Sequence, residues 1–300
     1  MKILICDVGN AASAFVVANN GYTMMIDCGS NQDKVNPVDL FKSMQKTLGW
    51  QPYNRLWTEY PLALLHITHP DDDHVRNSAY VWENLKPCFI ERTYTEKFPD
   101  ADSINDDYKH YFDGPYRTWT PETVDWGFEI NETCNIPVES CESDPNLNSK
   151  VRNNSSIIRY IKQDGIGVLF GGDLEKAGWE RLIADNSNFI NMLKREGVNI
   201  LIAPHHGHKS GFPKALFDEI GEVDLVIHSK DTEAEKDGTD VSSQYSAYSR
   251  GMYYVPLSDT DHKYLGKVLT TRSNGFIIIG TSPNYIVTET ASSNHQKQTK

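Results

Sequence analysis

Thr68-His69-Pro70-Asp71-Asp72-Asp73-His74 follows directly on the apolar run Leu62-Ala63-Leu64-Leu65-His66-Ile67, and the junction between them decides the fold. The apolar run has the composition of a strand buried on both faces. Pro70 lacks a backbone N–H and biases His69 away from helical geometry, so the strand gives way to a loop. That loop places two histidines and three carboxylates within six residues. Carboxylates this close repel one another in a partly dry pocket, and cations turn the repulsion into attraction. Imidazole nitrogen with carboxylate oxygen suits zinc, manganese or iron. Taken alone, the same stretch also describes a solvated acidic loop with incidental histidines.

Two later signals fall where such a centre would need them. Gly171-Gly172-Asp173 closes the strand-like run Gly167–Phe170, and glycines there let backbone approach a ligand closely. A Gly-Asp pair is also a common turn or helix cap. Pro204-His205-His206-Gly207 follows the strand-like run Ile200–Ala203. Adjacent histidines on an extended chain point to opposite sides, so one binds metal while the other faces substrate. Asp7 and Asp27 end or interrupt strands of the first meander. Asp27 would orient a ligand histidine through its other ring nitrogen; turn capping explains both aspartates equally well.

The bulk numbers describe an ordinary globular chain. Its 300 residues are 39% hydrophobic and 23% charged, enough to bury about three quarters of the unfolded surface. No apolar run approaches the ~20 residues of a bilayer-spanning helix. Met1-Lys2-Ile3-Leu4-Ile5-Cys6-Asp7 meets a charge too early for a signal peptide, so the expectation is a cytoplasmic protein with no membrane association. Cys6, Cys28, Cys88, Cys134 and Cys141 form no CxxC pair and suggest neither a disulfide framework nor a thiolate zinc site. Cys6 and Cys28 read as buried, Cys134 and Cys141 as exposed in a polar stretch. A net charge of −12 excludes a global positive field for gripping duplex nucleic acid. It does not exclude a nuclease, because bound metal reverses the local sign.

Along the chain, residues 3–8, 14–18 and 22–26 predict a β-meander turning at Asn19-Asn20-Gly21. Helices are expected near 37–48, 77–85, 174–184, 189–196 and 214–220. Further strands are expected at 156–160, 167–170, 200–203 and 225–229. Val268–Thr271 and Phe276–Ile279 read as a hairpin around Ser273-Asn274-Gly275. Residues 93–150 are polar but carry Tyr94, Tyr108, Tyr111, Phe112, Tyr116, Trp119 and Trp126, too aromatic for simple disorder. They read as an ordered insertion, either a lid or oligomer contact or a peripheral elaboration. Bases stack on such rings, although ordinary packing explains them as well. The polar stretch 231–243 is a second candidate wall. The expected organisation is one domain over 1–287, the insertion within it, and a disordered tail over 288–300.

With these pieces in order, the chain resembles the metallo-β-lactamase superfamily, and within it the soluble hydrolase domain of ComEC-type competence proteins. The resemblance rests on Asp7-Val8-Gly9, Ile26-Asp27-Cys28-Gly29, Thr68 to His74, Asn154-Ser155-Ser156-Ile157, Gly171-Gly172-Asp173 and Pro204-His205-His206-Gly207-His208-Lys209-Ser210. It covers most of residues 1–285, excluding the insertion. It implies an α+β fold, the αββα four-layer sandwich, with two divalent ions (zinc or manganese, with iron a further choice) at one rim. His69 and Asp71 would hold one ion, Asp73, His74 and His206 the other, and Asp173 would bridge. A water between the ions would lose a proton and attack. Asp73 would position it, and His205 would lie against the substrate, with His208 and Lys209 nearby. Asp71 stands where the superfamily usually has histidine. The third histidine of the first site is missing, and Asn153 or Asn154 stands in its place. The resemblance favours a phosphodiester substrate: DNA, RNA or a nucleotide. An acyl, lactone or thioester hydrolase, or a binding module with a degenerate metal site, are the alternatives.

Overall fold

The computed structural model describes residues 1–31, 33–47, 62–113, 126–230, 241–282 and 284–289. The chain opens with β1 (Lys2–Ile5), β2 (Ser13–Val17), β3 (Thr23–Cys28), β4 (Leu62–His66) and β5 (Pro87–Glu91). It continues with β6 (Ile130–Cys134), β7 (Ile158–Gln163), β8 (Ile166–Phe170), β9 (Ile200–Ile202) and β10 (Leu225–His228). It closes with β11 (Met252–Pro256), β12 (Tyr264–Gly266), β13 (Val268–Thr270), β14 (Phe276–Thr281) and β15 (Asn284–Glu289). Nine strands form one sheet in the order β12-β11-β15-β14-β1-β2-β3-β4-β5, and six form another in the order β13-β10-β9-β8-β7-β6.

Period-two alternation sorts the side chains into layers. Ile3, Ile5, Ala14, Val16, Met24, Ile26 and Leu64 from the first sheet share one buried cluster with Ile161, Val168, Phe170, Ile200, Leu225 and Ile227 from the second. The two sheets therefore pack face to face. The alternate residues point outward to helices: Phe15 stacks on Phe41 of the helix Pro37–Thr47, with ring centroids 4.1 Å apart. Behind the second sheet, Tyr160, Leu169, Leu201 and Val226 share a buried cluster with Trp179, Leu182, Leu193 and Leu216. These last come from the helices Lys176–Asp185, Ser187–Glu196 and Lys214–Ile220. The result is the expected mixed α/β sandwich of helix, sheet, sheet and helix.

Several local expectations need correction. Val268–Thr270 and Phe276–Thr281 are not a hairpin: β13 runs parallel to β10 in one sheet, and β14 runs antiparallel to β1 in the other. The Thr270 side chain accepts from Ser273 N and caps a helical turn, Thr271–Asn274, that carries the chain between the sheets. Cys134 and Cys141 are buried. They sit among apolar neighbours that the polar local sequence conceals. In the 93–150 segment, Tyr108 and Phe112 are fully buried and join the main cluster, so neither ring is available to stack on a base. β6, from the same segment, pairs antiparallel with β7, which makes the segment part of the sandwich. Tyr116, Trp119, residues 231–240 of the polar stretch, and residues 290–300 of the tail lie outside the described residues. Residues 288 and 289, assigned to the tail, belong to β15. No helix among the described residues is long and apolar enough to cross a membrane.

Candidate metal centre

Parallel strands deliver the site. β3 and β4 run parallel in one sheet, and β8, β9 and β10 run parallel in the other. Asp27 lies near the end of β3, and the segments that follow β4, β8 and β9 carry His69 to His74, Asp173, and His205 with His206. Residues far apart in sequence thus meet at one rim of the sandwich.

Local chemistry fixes each side chain. Asp27 adopts a left-handed backbone with φ of 55°, strain that is tolerated where surrounding structure over-determines it. Its carboxylate accepts from Thr68 N at 2.8 Å and from Thr68 Oγ1 at 2.9 Å. It also accepts from His74 Nδ1 at 2.8 Å, which leaves Nε2 of His74 facing the rim. A Cβ at Gly29 would collide with the Asp73 carbonyl; only glycine lets the short helix Asp72–Val75, which carries Asp73 and His74 where a loop was expected, lie so close to β3. Asp173 N donates to Ser156 Oγ at 3.1 Å. His206 Nδ1 donates to the Ser229 carbonyl at 2.9 Å, again presenting Nε2. His205 and His206 both have positive φ, 49° and 54°. The extended backbone assumed from sequence is therefore absent, and both imidazoles reach Asp173. His205 Nε2 is 3.7 Å from Asp173 Oδ2, and His206 Nε2 is 3.7 Å from Asp173 Oδ1.

Asp73, His74, Asp173 and His206 each offer one ligand atom within 4.8 Å of all the others. His74 Nε2 is 3.1 Å from Asp173 Oδ1, and His206 Nε2 is 3.2 Å from Asp73 Oδ2. The Nε2 atoms of His69, His74 and His206 are buried without a hydrogen-bond partner. Buried polar atoms are rarely left so. Two imidazoles, each with its other nitrogen engaged, and two carboxylates form a donor set that fits a divalent ion.

The electrostatics agree. Burial works against charge on His74, but the carboxylates of Asp173 and Asp27 outweigh it and hold the imidazole well above its ordinary range. His206 is raised in the same way by Asp173 and Asp73 against burial. Burial pushes the carboxyl of Asp173 up, yet the His74 and His206 charges carry it well below the usual range. Asp73 is likewise lowered, burial being outweighed by His206 and His74. Such a cluster favours positive charge, whether carried by protons or by a metal ion.

The remaining expected residues are placed as follows. His69 Nε2 lies 3.5 Å from Asp71 Oδ2 and 3.9 Å from Asp173 Oδ2. Asp71 also accepts from Arg152 Nη1 at 3.0 Å. Asp72 faces outward to Arg76 and Asn105. Asp7 pairs with Lys34 at 3.3 Å, whereas Asp27 sits directly behind His74. Asn153 is buried, and Asn154 turns its amide to the Leu147 carbonyl at 3.2 Å. Ser210 Oγ lies 2.9 Å from both His205 Nδ1 and His208 Nδ1, and Lys209 is exposed. Sequence reasoning missed Thr68, Arg152, Ser210 and Ser229 as supports. Thr68 and Ser210 lay inside quoted motifs, but Arg152 and Ser229 carried no local signal.

The sequence pattern of the metallo-beta-lactamase superfamily matches residues 7–185. No curated protein matches the chain. Among solved structures, the metallo-beta-lactamase fold protein YhfI from Bacillus subtilis is similar at 11% identity and a TM-score of 0.42, covering 92% of this chain and 99% of its own. Zn(2+)-bound PqqB from Methylobacterium extorquens is similar at 12% identity and a TM-score of 0.36, over 67% of this chain and 72% of its own. The metallo-beta-lactamase MIM-1 from Novosphingobium pentaromativorans is similar at 16% identity and a TM-score of 0.35, over 72% and 79%. The matched sequence region spans more than half the chain and includes Asp73, His74 and Asp173: the chain belongs to the metallo-beta-lactamase superfamily.

Proposed function

We propose that this metal-dependent hydrolase cleaves phosphodiesters, with a nucleic acid or nucleotide as substrate. The observation that carries the reading is the loop beside the centre. In a chain of net charge −12, the loop Pro204–Ser210 sets His205 beside the four-residue cluster, with the His208 ring packed on His205. His205 turns Nε2 toward Asp173 while Ser210 Oγ holds its Nδ1. An anionic substrate group entering there meets cation-capable donors on one side and the metal ligands on the other.

Asp73, His74, Asp173 and His206 would hold a divalent ion, with zinc, manganese and iron all compatible with nitrogen and oxygen donors. When bound, such an ion supplies a Lewis acid and lowers the pKa of coordinated water. Asp27 and Ser229 keep the ligand imidazoles oriented. His205 donates to the substrate's developing oxyanion, a role that needs a preorganised donor aimed at the new charge.

A digestion panel tests the reading. Bis-p-nitrophenyl phosphate, single-stranded DNA, duplex DNA, RNA and cyclic nucleotides would be compared with ester, thioester and lactone substrates, each with zinc or manganese added. The expected result is metal-dependent phosphodiester cleavage that Asp73→Asn reduces by a factor of at least 100 while far-UV circular dichroism is unchanged. Turnover of esters or lactones alone would transfer the protein to acyl chemistry. Failure to bind any divalent ion would leave a binding module.

A further inference from the structure

We infer that the chain holds one divalent ion, at Asp73, His74, Asp173 and His206, and that the Arg152 guanidinium takes the electrostatic place of a second ion beside His69 and Asp71. The inference rests on the metal-dependent reading above.

A second ion would need His69, Asp71 and a share of Asp173. Asp71 is already partly committed. Its Oδ1 accepts from Arg152 Nη1 at 3.0 Å, which leaves Oδ2 alone facing the orphaned His69 Nε2 at 3.5 Å. Arg152 is fixed in that place. Its Nε donates to Asp100 Oδ1 at 3.1 Å, and its Nη2 donates to the Asp100 carbonyl and the Ser103 hydroxyl. Its side chain is only 15% exposed. Asn154 donates Nδ2 to the Leu147 carbonyl, and its Oδ1 lies against Gly178 of the helix Lys176–Asp185.

Charge counting then separates the two positions. The four-residue centre carries two carboxylates, which balance one divalent cation. At the neighbouring position Arg152 stands between Asp71 and Asp100 and offsets one of their two charges. Arginine does not release its proton in a protein, so this neutralisation is permanent at any working pH. A second dication would enter a position whose negative charge is already half offset, beside both a guanidinium and the first ion. Like charges in a partly buried site repel strongly. Asp100 and Ser103, from the aromatic-rich segment, lock the arginine in place. The segment therefore shapes the centre through Arg152.

Native mass spectrometry and elemental analysis of the full chain, loaded with zinc or manganese chloride and desalted, test this. The wild type should retain one ion per chain. Arg152→Met, which frees Asp71, should retain two, and Arg152→Lys should stay at one. Two ions in the wild type would overturn the inference, as would a single ion in a folded Arg152→Met. No ion in the wild type would instead defeat the metal-dependent reading itself. Should Arg152→Met not fold, electron paramagnetic resonance of manganese-loaded wild type decides. The six-line signal of an isolated ion is expected, and the multiline signal of a coupled pair would overturn the proposal.

Discussion

At Asp27 a single carboxylate serves two partners, Thr68 at the start of the metal loop and His74 within it. Removing its charge keeps the shape and weakens the hold on His74. Outer partners of this kind are worth roughly 10–100-fold in metal affinity. Asp27→Asn is therefore expected to weaken zinc binding by about that range, measured by competition with a chromophoric chelator, with little change in far-UV circular dichroism. Unchanged affinity would reduce Asp27 to a turn residue, the reading its sequence position allows equally. At this scale the sequence was informative about identity more than about partners. Asp27 was legible as a histidine-orienting candidate. Which histidine it orients required the β3–β4 pairing that sets Ile26 opposite His66.

Among the elements, the strands that feed the site are tied across the sandwich by buried polar groups. Arg159 on β7 pairs with Glu91 on β5 and bonds Asn131 on β6. His66 on β4 links Glu91 at 2.9 Å with the Ile157 carbonyl at 3.0 Å. Glu91 keeps only 16% of its side chain exposed, so removing Arg159 leaves a largely buried charge uncompensated. Arg159→Met alone is expected to cost about 3–5 kcal/mol, and replacing both partners, as Arg159→Met with Glu91→Leu, should restore most of it. Urea denaturation of the single and double variants checks this, and equal losses in both would show that the pair itself supplies net stability. None of this clamp was read from sequence, because Glu91 and Arg159 are 68 positions apart. The misread hairpin has a related cause. Val268–Thr270 and Phe276–Thr281 have strand propensity and a turn between them, but β10 and β1, far away in the chain, decide their sheets.

For the whole molecule, the centre joins the two sheets, so occupancy and stability are linked. Without metal, the raised pKa values of His74 and His206 contribute stability that is full below about pH 6.5, the ordinary histidine value. It is lost as pH rises through their raised values. Metal binding needs both imidazoles neutral, so its contribution moves the opposite way. The Tm of chelator-treated protein should therefore fall between pH 6 and pH 9. With excess zinc the Tm should hold or rise, by about 4 kcal/mol of added stability at a thousandfold excess over Kd. Parallel pH profiles with and without chelator, by scanning calorimetry, would contradict the linkage. The sequence by itself determined the parts that are contiguous: the buried strand running into His69 to His74, the Gly-Gly-Asp turn, the histidine pair, and with them a metal chemistry; the sandwich was what the resemblance carried by these motifs implied. These follow from local composition, since a strand end and a cluster of ligand-type side chains are written side by side. The resemblance already implied that Asp73, His74, Asp173 and His206 act together; only the tertiary structure gave their distances and set Arg152 on Asp71. Those distances are set by strand pairing across the two sheets and by the fold of the aromatic-rich segment, and no local pattern encodes them.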